Sequence, residues 1–131
     1  MIALDTNVLV RFLVEDDEKQ SQRATRLIRK TQERGDSLFI SDIVMCETVW
    51  VFSTSYDFER SEIVRVLSGL LRARGVVFSS SDRLARALQA YASSKGDFAD
   101  YLIREHATAA GADTVATFDR ALLKQAGFSK P

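Results

Sequence analysis

The chain opens with Met1-Ile2-Ala3-Leu4-Asp5-Thr6-Asn7. The four leading residues are mostly apolar and predict a short buried strand that carries the Asp5 carboxylate at its carboxyl end. After Asp5 the apolar residues fall at helical spacing, so a helix begins here, with Thr6 or Asn7 as its cap. Ligands of open α/β sheets bind beyond the carboxyl ends of the strands. Two interpretations of Asp5 therefore stay open, a residue placed for chemistry or a cap of the following helix.

The length and composition indicate one folded domain. The chain has 131 residues, of which 46% are hydrophobic and 27% charged, so we predict a single globular domain over residues 1–131. No stretch approaches the roughly 20 apolar residues that cross a bilayer. The start also lacks the basic segment and apolar region of a signal peptide. We therefore expect a cytoplasmic protein without a membrane partner.

Cysteine and histidine chemistry is nearly absent. Cys46 is the single cysteine, so it forms no internal disulfide, and its apolar helical surroundings predict a small core residue rather than a nucleophile. His106 is the only histidine. This count excludes an enzyme that pairs a histidine base with a histidine acid, and it excludes a histidine-rich metal site.

The net charge of zero conceals an imbalance in residue type. Thirteen of the 18 basic residues are arginines, set against 18 acids. If four acids bind metal ions, the remaining charge is 18 − 14, or +4. Arginine suits bidentate contacts with phosphate, so the composition fits a phosphate-bearing partner.

Strand and helix patterns alternate along the chain. The predicted strands cover residues 1–4, 38–40, 76–78 and 113–117. The predicted helices cover residues 19–34, 43–54, 61–72, 83–94, 97–110 and 120–126, in addition to the one after Asp5. This alternation predicts an α/β fold, a small parallel sheet of four or five strands flanked by helices.

Three further acids occupy notable positions in these elements. Glu47 lies in a helix that is apolar almost all round, which predicts burial in the core or against another chain. An enclosed acid is costly unless a cation, donor or metal compensates it. Asp100 shares a predicted packed face with Ile103, although a cap or dipole role is the alternative. Asp119 follows the last predicted strand.

Together with Asp5, these acids suggest one chemistry. Carboxylates that are brought together repel each other unless cations neutralise them. Mg²⁺ and Mn²⁺ prefer oxygen ligands, and a metal held by acids suits phosphodiester hydrolysis, which needs no histidine. Thr6, Asn7 and Thr117 would hold the carboxylates or waters.

The sequence also resembles a known family. The resemblance covers essentially the whole chain and rests on Leu4-Asp5-Thr6-Asn7-Val8-Leu9, Glu47 in its apolar helix, Asp97-Phe98-Ala99-Asp100-Tyr101-Leu102-Ile103, and Thr117-Phe118-Asp119. In these stretches the chain resembles PIN-domain nucleases and, more narrowly, VapC-type toxins of bacterial toxin–antitoxin pairs.

The resemblance implies a Mg²⁺- or Mn²⁺-dependent endoribonuclease with the acidic site Asp5, Glu47, Asp100 and Asp119. Asp5 and Asp100 match the principal metal ligands of the family, and Thr117 matches its supporting hydroxyl. Asp97 matches an acid that only part of the family has, so it is left out of the site. The resemblance further implies an RNA substrate, a homodimer, and an antitoxin whose tail covers the site.

Other functions stay open on the residues alone. A phosphatase that uses an aspartyl phosphate would show an Asp-x-Asp opening, but Asn7 stands in place of the second acid. A phospho-receiver module would need a lysine after a late strand, whereas Lys124 lies in the predicted closing helix. A non-catalytic binding module would use the helix of Trp50 and Phe52 as its partner surface.

Overall fold

Strands and helices alternate along residues 1–131, all of which the computed structural model describes. The strands are β1 (Ile2–Ala3), β2 (Leu38–Ile40), β3 (Val76–Phe78), β4 (Val115–Ala116) and β5 (Phe128–Ser129). The helices are α1 (Thr6–Val14), α2 (Glu18–Glu33), α3 (Asp42–Thr54), α4 (Arg60–Leu71), α5 (Ser81–Ser93) and α6 (Phe98–Ala109). The predicted α/β class is confirmed. None of the helices has the length and apolar character that a membrane span requires.

The chain divides into two compact units. The first contains residues 1–58 and 69–79, and the second contains residues 59–68 and 80–131. The single domain predicted over residues 1–131 stays a prediction. In the first unit the parallel strands lie in the order β1-β2-β3, with Ile2 paired to Leu38 and Leu38 paired to Val76. In the second unit β4 and β5 form a parallel pair.

The closing segment differs from its prediction. A helix over residues 120–126 is wrong, because only Leu122–Lys124 is helical, as a short 3₁₀ turn. Gln125 is already extended, with φ −114° and ψ 151°, and Gly127 adopts the left-handed φ of 89°. The chain therefore turns into β5, which was not predicted because Phe128-Ser129 is not part of an apolar run.

The core of the first unit includes one face of α2. Ala24, Ile28 and Thr31 are buried, and Leu27 is half-buried. The Thr31 hydroxyl donates to the Leu27 carbonyl at 2.8 Å, which satisfies its polar group inside the core. This face packs against α1, whose Leu9 and Val10 are buried.

The segment between α1 and α2 divides its acids between two tasks. Asp17 caps α2 by accepting from the Gln20 backbone N–H at 2.9 Å, as expected for acids before a helix. Asp16 instead accepts from the Arg11 guanidinium at 2.8 Å and from the Tyr56 hydroxyl at 2.6 Å. These bonds connect the C-terminal part of α1 to the segment that follows α3.

The core of the second unit lies between α5 and α6. The predicted packed face of α6 is wrong, because Ile103 is 53% exposed. Phe98, Tyr101 and Leu102 are the buried residues of this helix. They are spaced i, i+3 and i+4. Burial of the Phe98 and Tyr101 rings removes more apolar area from water than burial of Ile103 would.

Candidate active site

Asp5 caps the helix that follows it. Its Oδ1 accepts from the Val8 backbone N–H at 3.0 Å, and its backbone is extended, with φ −85° and ψ 174°. The prediction that Thr6 or Asn7 caps α1 is wrong, because both residues already lie inside the helix. Asp5 is exposed, and its Oδ2 accepts no hydrogen bond within the chain. The capping and the chemical interpretation are therefore compatible.

The two residues after Asp5 have no polar contact. Thr6 is half-buried and Asn7 is exposed, and the side chain of neither makes a hydrogen bond within the chain. Their role in holding carboxylates or waters stays a prediction.

Glu47 lies on an exposed face of α3, so its predicted enclosure is wrong. The opposite face of the helix enters the core through Met45, Val49 and Phe52. Ile43 is 71% exposed and Trp50 is 65% exposed, one turn on either side of Glu47. Both faces of α3 carry apolar residues, but only the face of Met45, Val49 and Phe52 packs into the core. Burial against another chain stays a prediction for the exposed face.

Cys46 is half-buried beside this face. Burial, followed by the negative charges of Asp42 and Glu47, raises the pKa of the Cys46 thiol to about 11. The thiol is therefore protonated at neutral pH, which is the state of a packing residue rather than of a nucleophile.

Asp97 and Asp100 form a capping box at the start of α6. The Asp97 backbone N–H donates to Asp100 Oδ2 at 3.0 Å. Burial is the main cause that raises the pKa of the half-buried Asp100; the bond from Asp97 opposes it, and the charges of Asp97 and Asp119 add to it. Asp100 and Asp119 therefore interact electrostatically within the second unit.

Asp119 is held at the turn that follows β4. Its Oδ1 accepts from the backbone N–H groups of Ala121 at 2.8 Å and Leu122 at 3.2 Å. The Thr117 hydroxyl oxygen accepts from the Asp119 backbone N–H at 3.0 Å. Thr117 thus contacts the backbone of the predicted acid, and it does not contact the carboxylate itself.

Sequence reasoning missed the residues that hold the segment before Asp97. The buried Tyr101 hydroxyl accepts from the Gly96 backbone N–H at 2.8 Å, and the Arg60 Nη1 donates to the Gly96 carbonyl at 2.7 Å. A Cβ on Gly96 would lie 2.6 Å from the Tyr101 hydroxyl oxygen and 2.7 Å from a Leu122 methyl. The only sequence signal is a glycine directly before a helix cap.

The carboxylates provide oxygen donors of the kind that Mg²⁺ and Mn²⁺ prefer. In the second unit the half-buried Asp100 carries the repulsion of Asp97 and Asp119, which a cation would relieve. Neither unit by itself gathers three or more His, Cys, Asp or Glu side chains into a metal-binding group. The donor chemistry fits a divalent ion, and the four-acid set stays a prediction.

Comparison with known proteins gives two findings. The family model described as "PIN domain" matches residues 2–128. A VapC ribonuclease from Aquifex aeolicus (strain VF5) is 28% identical over 128 residues, which cover 98% of this chain and 93% of the relative.

Proposed function

This chain belongs to the PIN-domain family, and on that premise we propose that it is a divalent-metal-dependent endoribonuclease acting in the cytoplasm as the toxin of a toxin–antitoxin pair. The observation that carries the proposal is the similarity to a VapC ribonuclease along 98% of the chain. The similarity therefore covers nearly the whole of both chains and does not rest on a short motif.

The proposal assigns metal binding to Asp5, Glu47, Asp100 and Asp119. Three of them have one feature in common, an oxygen anchored by a backbone N–H and a second oxygen that accepts no hydrogen bond within the chain. The anchored atoms are Oδ1 of Asp5, Oδ2 of Asp100 and Oδ1 of Asp119. An anchored carboxylate keeps its orientation and still offers an oxygen to a cation.

Glu47 differs because it is exposed and has no partner within the chain. Its carboxylate is therefore open to solvent and accessible to a cation. This suits a ligand that reaches an ion through its own flexibility or through a water.

In this proposal the chain's own residues bind the metal ion and orient its carboxylate ligands. They provide few groups for general acid–base catalysis. When bound, Mg²⁺ or Mn²⁺ would lower the pKa of a water and stabilise the leaving oxygen of the phosphodiester. The backbone N–H groups of Val8, Asp97 and Ala121 hold the three anchored carboxylates in place. Fixed carboxylates need no reorganisation during the reaction.

The proposal also includes RNA as the substrate, a cognate antitoxin whose tail covers the site, and a homodimer. Each follows from the resemblance to VapC-type toxins. Light scattering of the purified protein tests the dimer. Co-purification with the product of a neighbouring small open reading frame, together with suppressed cleavage, tests the antitoxin.

The alternative functions are not favoured. The PIN-domain match covers residues 2–128. A phospho-receiver or phosphatase would need its own motifs within those same residues. Lys124, the lysine a receiver would require after a late strand, lies in the 3₁₀ turn. Of the two residues offered as a binding surface, Phe52 is fully buried and Trp50 is 65% exposed, so they do not form one surface.

The decisive experiment is RNA cleavage with Mn²⁺, with and without a chelator. Asp119→Asn should abolish cleavage. Asp113→Asn, an exposed acid two residues before β4 without a partner in the chain, is the matched control and should cleave like the wild type. Cleavage that persists in the chelator would overturn the metal mechanism, and equal loss in both variants would overturn the assignment of Asp119.

A further inference from the structure

One peptide group connects the half-buried Arg60 guanidinium to Asp100. The carbonyl oxygen of Gly96 and the N–H of Asp97 belong to the same planar unit. The carbonyl accepts from Arg60 Nη1 at 2.7 Å, and the N–H donates to Asp100 Oδ2 at 3.0 Å. Arg60 and Asp100 therefore bind the two edges of a single peptide plane.

Arg60 is itself held firmly. It is half-buried at the start of α4 and donates from the same Nη1 to the Tyr91 carbonyl at 2.8 Å. Its guanidinium carbon lies 4.0 Å from the centre of the Tyr91 ring. It forms no ion pair with a carboxylate. The Arg60 guanidinium therefore donates to carbonyl oxygens and not to a carboxylate. Its position is not explained by the neutralisation of an acid.

The neighbouring peptide is fixed from the other side. The Gly96 N–H donates to the buried Tyr101 hydroxyl, which also accepts from the Gln125 side-chain amide at 3.0 Å. Because a Cβ on Gly96 would overlap with Tyr101 and Leu122, the backbone here fits against α6 without space to rotate. The residue that precedes the Asp97 N–H is therefore held by contacts with Tyr101 and Leu122.

We propose that Arg60 is a positioning residue for Asp100, which it orients through the Gly96–Asp97 peptide so that Asp100 Oδ1 is presented to a divalent cation. The inference rests on the proposed function, which makes Asp100 a metal ligand. A donor on the carbonyl polarises the amide and strengthens the bond from its N–H to the carboxylate. Residues that orient a metal ligand typically contribute about 10–100-fold to affinity or activity.

The test compares Mn²⁺ affinity, measured by electron paramagnetic resonance of free Mn²⁺, in the wild type, Arg60→Met and Arg60→Lys. Arg60→Met should weaken Mn²⁺ binding about tenfold. Arg60→Lys should recover most of the affinity, because a single nitrogen makes both carbonyl contacts and an ammonium has three donors. Arg65→Met, an exposed arginine of α4 without a partner, is the matched control and should bind as the wild type does.

A second readout keeps the inference falsifiable if Arg60→Met does not fold. In Asp100→Asn the Asp97 amide proton should move upfield in heteronuclear spectra, whereas in Arg60→Lys and in Arg65→Met it should stay close to its wild-type position. An Asp97 resonance that moves upfield in Arg60→Lys without a loss of Mn²⁺ affinity, or wild-type Mn²⁺ affinity in a folded Arg60→Met, would overturn the inference.

The same data separate this inference from the proposed function. If Asp100→Asn weakens Mn²⁺ binding and Arg60→Met does not, only the positioning role is wrong. If the wild type binds no Mn²⁺, both the metal-dependent function and the role of Arg60 are wrong.

Discussion

The Val8 backbone N–H donates to the Asp5 carboxylate at 3.0 Å, so the acid that follows β1 is also the cap of α1. Asp5 Oδ1 caps the helix, and Asp5 Oδ2 accepts no hydrogen bond within the chain. This division predicts that the structural and chemical roles of Asp5 respond differently to substitution.

Asp5→Asn should lower cleavage by about 100-fold or more, because it removes a charged ligand, and it should change stability by less than about 0.5 kcal/mol, because asparagine caps as well as aspartate. Asp5→Ala should lose the same activity and a further 1 kcal/mol or so of stability. Cleavage rates and urea denaturation measure the two effects. An Asp5→Asn variant that cleaves at the wild-type rate contradicts the metal role.

Glu47→Gln should abolish cleavage while the free energy of unfolding stays within about 0.5 kcal/mol of the wild type, because the side chain is exposed and has no partner. Glu33→Gln, at the end of α2 and also exposed, is the control. A large loss of stability in Glu47→Gln would show that the carboxylate supports the fold and would count against a purely chemical role.

Gly96→Ala should destabilise the protein by about 1–3 kcal/mol, because the added methyl meets the Tyr101 hydroxyl and Leu122 at less than 3 Å. Gly69→Ala is the opposite case. It lies exposed inside α4 with nothing within 4 Å of an added Cβ, so it should stabilise by about 0.5–1 kcal/mol. Thermal unfolding of both variants checks the pair, and equal effects would contradict the close packing at Gly96.

The bond between Asp16 and Tyr56 should depend on pH. The Tyr56 hydroxyl, and after it the Arg11 guanidinium, lower the pKa of Asp16. A lowered folded-state pKa means that the stabilisation is present above the unfolded pKa of about 3.9 and is lost as the pH falls through the folded value. A double-mutant cycle of Asp16→Asn and Tyr56→Phe should therefore show coupling at pH 7 that declines below pH 4. Coupling of equal size at pH 2.5 would contradict this assignment.

Cys46 should react slowly with alkylating reagents. Because burial raises its pKa to about 11, the thiolate is scarce at pH 8, and alkylation by iodoacetamide should be roughly a hundredfold slower than for free cysteine. Cys46→Ala should retain cleavage activity. Rapid alkylation that abolishes cleavage would contradict the assignment of Cys46 as a packing residue.

Much of this architecture could be predicted from local pattern. The strand at residues 38–40 and the starts of α3, α4, α5 and α6 lie within two residues of their predicted positions, because caps and hydrophobic periodicity act over a few neighbours. The acids of the candidate site could be proposed because Asp5 and Asp119 follow predicted strands, Asp100 lies in the first turn of a helix, and Glu47 lies in an otherwise apolar helix.

The face that each helix buries could not be predicted where apolar residues surround it. On α3 the core contains Met45, Val49 and Phe52, and Glu47 is exposed between Ile43 and Trp50. On α6 two aromatic residues and a leucine took the core instead of Ile103. The buried face of a helix is the one that removes more apolar area from water. That area depends on the elements packed against the helix, which local sequence does not describe.

The sequence by itself determined the α/β class and the starts of most helices, because capping and periodicity are properties of residues close together in the chain. Only the tertiary structure decided that Arg60 reaches the peptide before Asp97, 36 residues beyond its position. A guanidinium finds its carbonyl partners through packing of α4 beside the segment before α6, and no local pattern records a contact at that separation.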